Sequence, residues 1–377
     1  MKTDIKLIFS ILLVFIFTFN FKALSAEKIK IGLLIPVTGE YGKIGESVIN
    51  SVRLALNSIN DNKIEILPRD TRSDPSTTLK IARELYENDG VKIIIGPLFN
   101  SSTEYLSEIP EVTFLSLTNK LTNTPANVIS AGVNSISQIN AIKKFLELKN
   151  LERTIFLIPN SNFKNEIEKA ISKTNIKLKD KFIYDTDPTL LTAQIEKITR
   201  YPQRKQNLLD EMERLENSND ANKEKKIENL KKRDTIGGIN FDSVIIADFE
   251  EDLKSVATSL IYTDIPPTRV TYITLNQWFD KSLINESMIQ PIYFPSVNYE
   301  NYKIYLNKYN ENFQNNSNQI AFLSYDVTGL IYYLLFQNNF NVDKEIFYKK
   351  NSFKGKTGVF EIDKNVITHQ LNFYVIE

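Results

Sequence analysis

The chain has 377 residues, no cysteine, one histidine, and 46 basic side chains balanced by 46 acidic ones. Without cysteine there is no disulfide and no thiolate chemistry, and a lone histidine leaves no zinc set to assemble. The even charge balance gives no bias towards nucleic acid or an anionic surface.

Lys2 and Lys6 precede an apolar run from Leu7 to Phe21 that is broken only by Ser10, Thr18 and Asn20. Ala23-Leu24-Ser25-Ala26 follows and offers small residues for cleavage. A charged start, an apolar run and a small-residue exit read as a secretory signal peptide over residues 1–26, too short for a comfortable membrane span. The expectation is a periplasmic protein with no stable membrane span after cleavage. With no cysteine at the cleavage site, lipidation there is excluded.

About 350 residues remain, too many for one core and suited to two lobes. Ile29, Ile31, Leu33, Leu34 and Ile35 form the short apolar run of a strand buried on both faces, and Pro36 ends it. Thr38-Gly39-Glu40-Tyr41-Gly42 is a turn-rich loop, after which Val48, Val52, Leu54, Ala55, Leu56 and Ile59 recur at helical spacing. Strand, glycine loop and helix make the first half of a βαβ unit, whose ligands sit beyond the strand's carboxyl end. Gly39, Gly42 and Gly45 follow GxxGxxG rather than the dinucleotide spacing GxGxxG. Asp70, near the end of the next strand, is therefore not read as a ribose ligand.

Lys63–Leu67 is a second strand, and Asp74 caps a helix that starts at Pro75 and runs to about Asn88. Lys92–Ile95 is a third strand, broken by Gly96-Pro97. Asn100-Ser101-Ser102-Thr103 caps a short helix, and Val112–Ser116 is a fourth strand. The pattern restarts after Gly132 with a helix over Ser137–Leu148, a strand over Thr154–Ile158 and a helix from Phe163 to Ser172. Phe182–Tyr184, Phe241–Ala247 and Val270–Thr274 are further strands, with a helix over Leu253–Tyr262. Between them, Ile195–Asp234 reads as a charged helical hairpin with Leu208, Leu209, Met212 and Leu215 on one stripe and Ile227 and Leu230 on the return. Tyr299–Phe313 and Gln319–Phe336 are helical, and Gly358–Ile362 with Leu371–Val375 look like a closing strand pair. Strands alternating with helices make both runs doubly wound α/β lobes.

As a set, these segments resemble the leucine-binding type of type I periplasmic binding protein. The residues that carry the resemblance are Ile31-Gly32-Leu33-Leu34-Ile35-Pro36-Val37-Thr38-Gly39, Asp70–Pro75, Ile95-Gly96-Pro97 with Ser101-Ser102-Thr103, and Gly355–Phe360 with Asp363. Residues 198–215, Phe241–Val244, Leu260–Asp264, Gln277-Trp278-Phe279-Asp280 and Ser324–Val327 are similar to its penicillin-binding-protein activator branch. The resemblance implies two Rossmann-like lobes in a clamshell, with lobe one at 28–133 and 295–352 and lobe two at 137–291 and 356–377. Crossovers are expected near 132–136, 291–296 and 352–357, and the hairpin at 195–234 is an insertion in lobe two.

The resemblance also implies a ligand cleft between the lobes. Its carboxylate end falls at Ser101, Ser102 and Thr118, with Tyr41 at the lobe-one edge. The lobe-two positions are Asn162, Phe163, Asp248 and Gln277, where Phe163, Phe249 and Asn276-Gln277 stand in place of the family's tyrosines and acid. No catalytic residue, metal or cofactor is expected. His369 reads as a surface residue, and Gly355-Lys356-Thr357 lacks the glycine a P-loop needs at position 350. The expected function is non-catalytic binding, of the cell-wall-synthesis activator kind, with a small anionic or amino-acid-like ligand and a cell-wall synthase as partner. The alternative is the binding subunit of an amino-acid ABC importer, whose partner would be a permease. An exported hydrolase is a third, weaker class.

Overall fold

A computed structural model describes residues 28–377. The expected signal peptide at 1–26 lies outside the described residues. Lobe one opens with β1 (Ile29–Ile35), α1 (Gly42–Ile59), β2 (Ile64–Asp70), α2 (Pro75–Asp89), β3 (Ile93–Ile95), β4 (Thr113–Ser116) and β5 (Val128–Ser130). Asp74 caps α2 as its sequence signature predicts, its carboxylate accepting from the Thr77 N–H at 2.6 Å. β2 reaches Asp70, three residues beyond the expected strand, because it stays paired with β1 through Ile35↔Asp70.

The chain then enters lobe two through α3 (Ser135–Lys149), β6 (Thr154–Pro159), α4 (Lys164–Thr174), β7 (Asp180–Tyr184) and α5 (Pro188–Thr199). Two further helices, α6 (Tyr201–Glu216) and α7 (Lys223–Lys231), form an antiparallel arm. β8 (Ser243–Ile246), α8 (Glu250–Tyr262), β9 (Thr271–Thr274) and β10 (Ile292–Ser296) complete the lobe-two run. After it come α9 (Tyr299–Phe313), α10 (Ala321–Gln337), β11 (Asn351–Lys354), β12 (Val359–Asp363), β13 (Val366–Gln370) and β14 (Asn372–Ile376).

One sheet has the order β11-β12-β13-β5-β4-β3-β1-β2, and the other β14-β10-β9-β8-β6-β7. β1 to β5 pair in parallel, as do β6 to β10, so both lobes are doubly wound. The first core packs α1 and the largely apolar α10 on the lobe-one sheet, joined by the Ser51 hydroxyl donating to the Ala321 carbonyl at 2.6 Å.

The structure corrects four expectations. The closing segments do not pair with each other: β12 runs antiparallel to β13 in lobe one, whereas β14 crosses to pair with β10. β13 lies beside β5, and the Asn134 amide donates to the Ile367 carbonyl at 2.7 Å, so residues 356–370 belong to lobe one. The last crossover therefore falls at Leu371 rather than at 352–357. The second follows Ser296, since β10 is a lobe-two strand, so 292–296 moves from the crossover and from lobe one into lobe two. Finally, the arm begins at Tyr201. Arg200 takes a left-handed φ of 53° that separates α6 from α5, and Ile195 is a core residue of lobe two.

Candidate functional site

Beyond the carboxyl end of β1, the loop at Pro36–Thr38 is braced from β2. The Asp70 carboxylate accepts from the Val37 N–H at 2.8 Å, the Thr38 hydroxyl at 2.6 Å and the Arg72 N–H at 2.9 Å. Partial burial opposes ionisation, but these hydrogen bonds, led by Thr38, hold the carboxyl below its usual range. Asp70 thus shapes the mouth of the cleft. Gly45 is required beside it, since a Cβ there would lie 1.7 Å from the Pro36 carbonyl oxygen.

Two cavities occupy the space beyond the strand ends. The larger, about 910 Å³, has walls from both lobes, including Glu250, Asn276, Gln277, Phe279, Tyr302 and Lys303. The smaller, about 310 Å³, is lined mainly by lobe one, including Leu98, Phe99, Leu117, Thr118, Lys120 and Leu323. Asn119, Val133 and Trp278 line both.

The residues expected at the carboxylate end separate. Thr118 is buried against the smaller cavity, and its hydroxyl oxygen accepts from the Lys120 N–H at 3.2 Å. Ser101 is exposed, whereas Ser102 is 2% exposed and its hydroxyl has no partner; neither lines either of these two cavities. Ser101–Thr103 is a single 3₁₀ turn without a side-chain cap. A helix N-terminus able to gather an anion is therefore not formed there, because one turn does not align enough peptide dipoles. Tyr41 lies edge-on to Phe99 at 4.7 Å and lines neither cavity.

In lobe two, Asn162 is exposed and Phe163 packs edge-on to Phe249 at 6.1 Å; neither lines either of the two cavities. Asp248 is 5% exposed and points inward, accepting from the Tyr184 hydroxyl and from the Phe249 N–H at 3.3 Å. Burial raises its carboxyl despite the Tyr184 hydrogen bond, and burial with the Asp248 charge pushes the Tyr184 hydroxyl far up. Gln277 does line the larger cavity, but its amide donates inward to the Asp248 carbonyl at 3.2 Å and the Thr274 hydroxyl at 3.0 Å.

The side chains that dominate the cleft were not singled out as ligand-binding residues from sequence. Trp278 and Phe279 follow β9 with left-handed φ values of 47° and 59°, uncommon for large residues. The Trp278 N–H donates to the Asn276 side-chain oxygen at 2.9 Å, which also accepts from Ser296 at 2.9 Å. Phe279 reaches Tyr299 at 4.5 Å and Tyr302 at 5.8 Å on lobe-one helix α9, and Tyr374 at 5.1 Å on β14. The signal lay in Gln277-Trp278-Phe279-Asp280, which holds the chain's one tryptophan.

His369, expected at the surface, is buried on β13 with Nε2 3.1 Å from the Ala131 carbonyl oxygen. Burial pushes its pKa down to about 4. The sheet to which β13 belongs, unrecognised from sequence, encloses the ring.

With this geometry the chain can be set beside known proteins. Residues 28–188 match a family model described as "Periplasmic binding protein". The Leu/Ile/Val-binding protein of Escherichia coli K12 is 32% identical over 92 residues, 23% of this chain and 25% of the relative. The chain thus spans about a quarter of the length of the curated relatives it matches. Among solved structures, a putative branched-chain amino acid ABC transporter protein from Rhodospirillum rubrum has a TM-score of 0.68 at 14% identity, covering 93% of this chain and 98% of that one. The C-domain of LpoA from Haemophilus influenzae, a regulator of PBP1A, has a TM-score of 0.57 at 12% identity, covering 92% and 97%. A solute-binding protein from R. palustris in complex with 4-hydroxybenzoate has a TM-score of 0.58 at 13% identity, covering 93% of each chain. The resemblance read from the sequence is borne out, and the fold is the two-lobe type I periplasmic-binding-protein fold. Among the described residues no helix is long and apolar enough to cross a membrane.

Proposed function

We propose that this chain is a non-catalytic periplasmic binding protein that acts through a protein partner, as the LpoA C-domain is named a regulator of PBP1A, in the control of peptidoglycan synthesis. The observation that carries the reading is the inward commitment of lobe two. An amino acid needs a carboxylate opposite its ammonium, because a buried ammonium without one is costly. Asp248 is turned to Tyr184 and the Gln277 amide to backbone and Thr274; the cavity holding Thr118 has no carboxylate in its wall, and the lobe-two acids Glu250 and Asp280 line only the larger one. The charged arm gives the chain a surface that capture of a small solute does not need.

The test is a thermal melt with free leucine, isoleucine and valine. Only a ligand that binds the native state raises the melting temperature, and none of the three should do so. A clear shift at micromolar concentration would overturn the reading. It would favour the second one, the binding subunit of an ABC importer, which the large cavity between the lobes supports.

A further inference from the structure

Away from the cleft, lobe one holds a hollow of about 500 Å³ between three of its helices. Leu54, Ala55 and Ile59 of α1, Ile304 and Tyr305 of α9 and Tyr325 of α10 make its wall largely apolar, and it shares no residue with either cleft cavity. The wall has two charged residues, Lys308 and Lys356, and no carboxylate. The exposed Lys308 ammonium donates to a neutral group, the Ser58 hydroxyl, at 2.8 Å. Lys356 is presented by a turn pinned to α10, where the buried Asp326 carboxylate accepts from the Lys356 N–H at 2.8 Å and the Thr357 N–H at 2.7 Å. The Asn301 amide donates to the Lys356 carbonyl at 2.9 Å and ties the same turn to α9. Asp326 feels the Lys356 charge, but its oxygens are taken by the turn and it lines no part of the hollow.

Gly329 widens the hollow. It stands in the interior of α10, where glycine weakens a helix relative to alanine. Packing does not require it, since a Cβ added there would meet no atom within 4 Å beyond the helix's own backbone. The missing side chain leaves room that no other part of the wall fills. Ile304 of the same wall is 63% exposed, so apolar surface continues out of the hollow.

We infer that this hollow binds a single-chain anionic amphiphile, with its aliphatic chain along Gly329 and Ile304 and its acid head at Lys308 and Lys356. Two ammonium groups without a carboxylate select an anion, and the apolar wall selects a chain, which gains about fourfold in affinity for each methylene it buries. A partner helix, about 10–12 Å wide with its side chains, would fit such a volume for only about one turn. Carboxylate and phosphate heads offer the same charge-assisted bonds to lysine, so free acids and lysolipid-type heads share the chemistry. The site is independent of what the cleft takes.

Titration calorimetry on the purified protein uses hexanoate, octanoate and decanoate below their micelle concentrations, with octyl phosphate as the phosphate head. Octanol and octylammonium are the neutral and cationic controls. Affinity should rise by up to about fourfold per added methylene, and both controls should bind about tenfold more weakly than octanoate. Tighter binding of octyl phosphate than of octanoate assigns a lipid-type head, and the reverse assigns a free acid. Lys308→Gln and Lys356→Gln should each weaken octanoate by about fivefold or more at an unchanged melting temperature. Gly329→Leu, which fills the hollow, should abolish binding, whereas Gly329→Ala should melt higher and still bind. The lysine variants carry the test if the leucine variant does not fold. No heat with millimolar decanoate would overturn the inference, as would equal binding of octylammonium. Octanoate binding that neither lysine variant weakens would also overturn it, by placing the chain elsewhere on the protein.

Discussion

Asp248 and His369 show how one residue's role turns on what surrounds it. Asp248 stood at a ligand position by chain order, yet its carboxylate faces Tyr184 inside lobe two. His369 is the one histidine of the chain, and its pKa of about 4 lies well below the ordinary value near 6.5. Because that pKa is depressed, the folded state keeps the ring neutral where the unfolded chain takes up a proton. Stability is then lost as the pH falls from about 6.5 towards 4, a differential of about 3 kcal/mol if the shift is fully expressed. Comparing chemical denaturation of the wild type and His369→Gln at pH 7 and pH 4.5 isolates this contribution. The stability gap between the two proteins should narrow or reverse on acidification, and a constant gap would show that the ring does not titrate as described.

At the scale of elements, the arm of α6 and α7 is fixed at its base by one buried side chain. Arg204 is 3% exposed, and its guanidinium donates to the Thr199 carbonyl at 3.1 Å, the Thr235 hydroxyl at 2.9 Å and the Thr263 carbonyl. It lies 3.7 Å from the Asp264 carboxylate, which also pairs with Arg269. Arg204→Met leaves those acceptors without a donor and should cost about 2–4 kcal/mol. Urea denaturation would measure the loss. Beyond the clamp the arm is held by little else: α7 has no fully buried residue, and only Leu208 and Leu215 of the α6 stripe are buried. Replacing residues 209–230 with a short glycine-serine bridge keeps Arg204 and Leu208, so the lobes should melt within a few degrees of the wild type. On the proposed function, the same variant should bind a purified penicillin-binding protein less well than the intact chain does. Undiminished binding would remove the arm from the partner surface.

Across the whole molecule, the lobes are joined by more than the chain crossovers. Phe279 from lobe two sits among Tyr299 and Tyr302 of α9, with Phe294 at 5.8 Å on its own side. Burial pushes the Tyr302 hydroxyl up to about 12. Such a cluster couples the two cores, because aromatic pairs add to the area they bury. Phe279→Ala should cost about 2–3 kcal/mol for a partly buried ring and weaken that coupling. In scanning calorimetry the expected result is one transition in the wild type and two in the variant, one per lobe. A single transition in both would mean that the crossovers alone carry the cooperativity.

Most of the architecture could be read locally, because its signals are local. Apolar runs such as Ile31–Ile35, the Asp74-Pro75 start and the polar hairpin stripe each act within a few residues, and they led to two doubly wound lobes with an arm. What depended on distant parts of the chain could not be read that way. Val366–Gln370 becomes a lobe-one strand only because β5 offers it an edge, and that pairing moved the boundary between the lobes and buried His369. The same holds for the cleft. Position after a strand places Thr118 and Gln277 on its walls, but which way Asp248 and the Gln277 amide turn is settled by Tyr184 and Thr274, on other strands. Trp278 takes the centre of the cleft because Asn276, itself held by Ser296, fixes the start of its loop. Strand and helix propensities act between neighbours in sequence; cleft chemistry is set by neighbours in space.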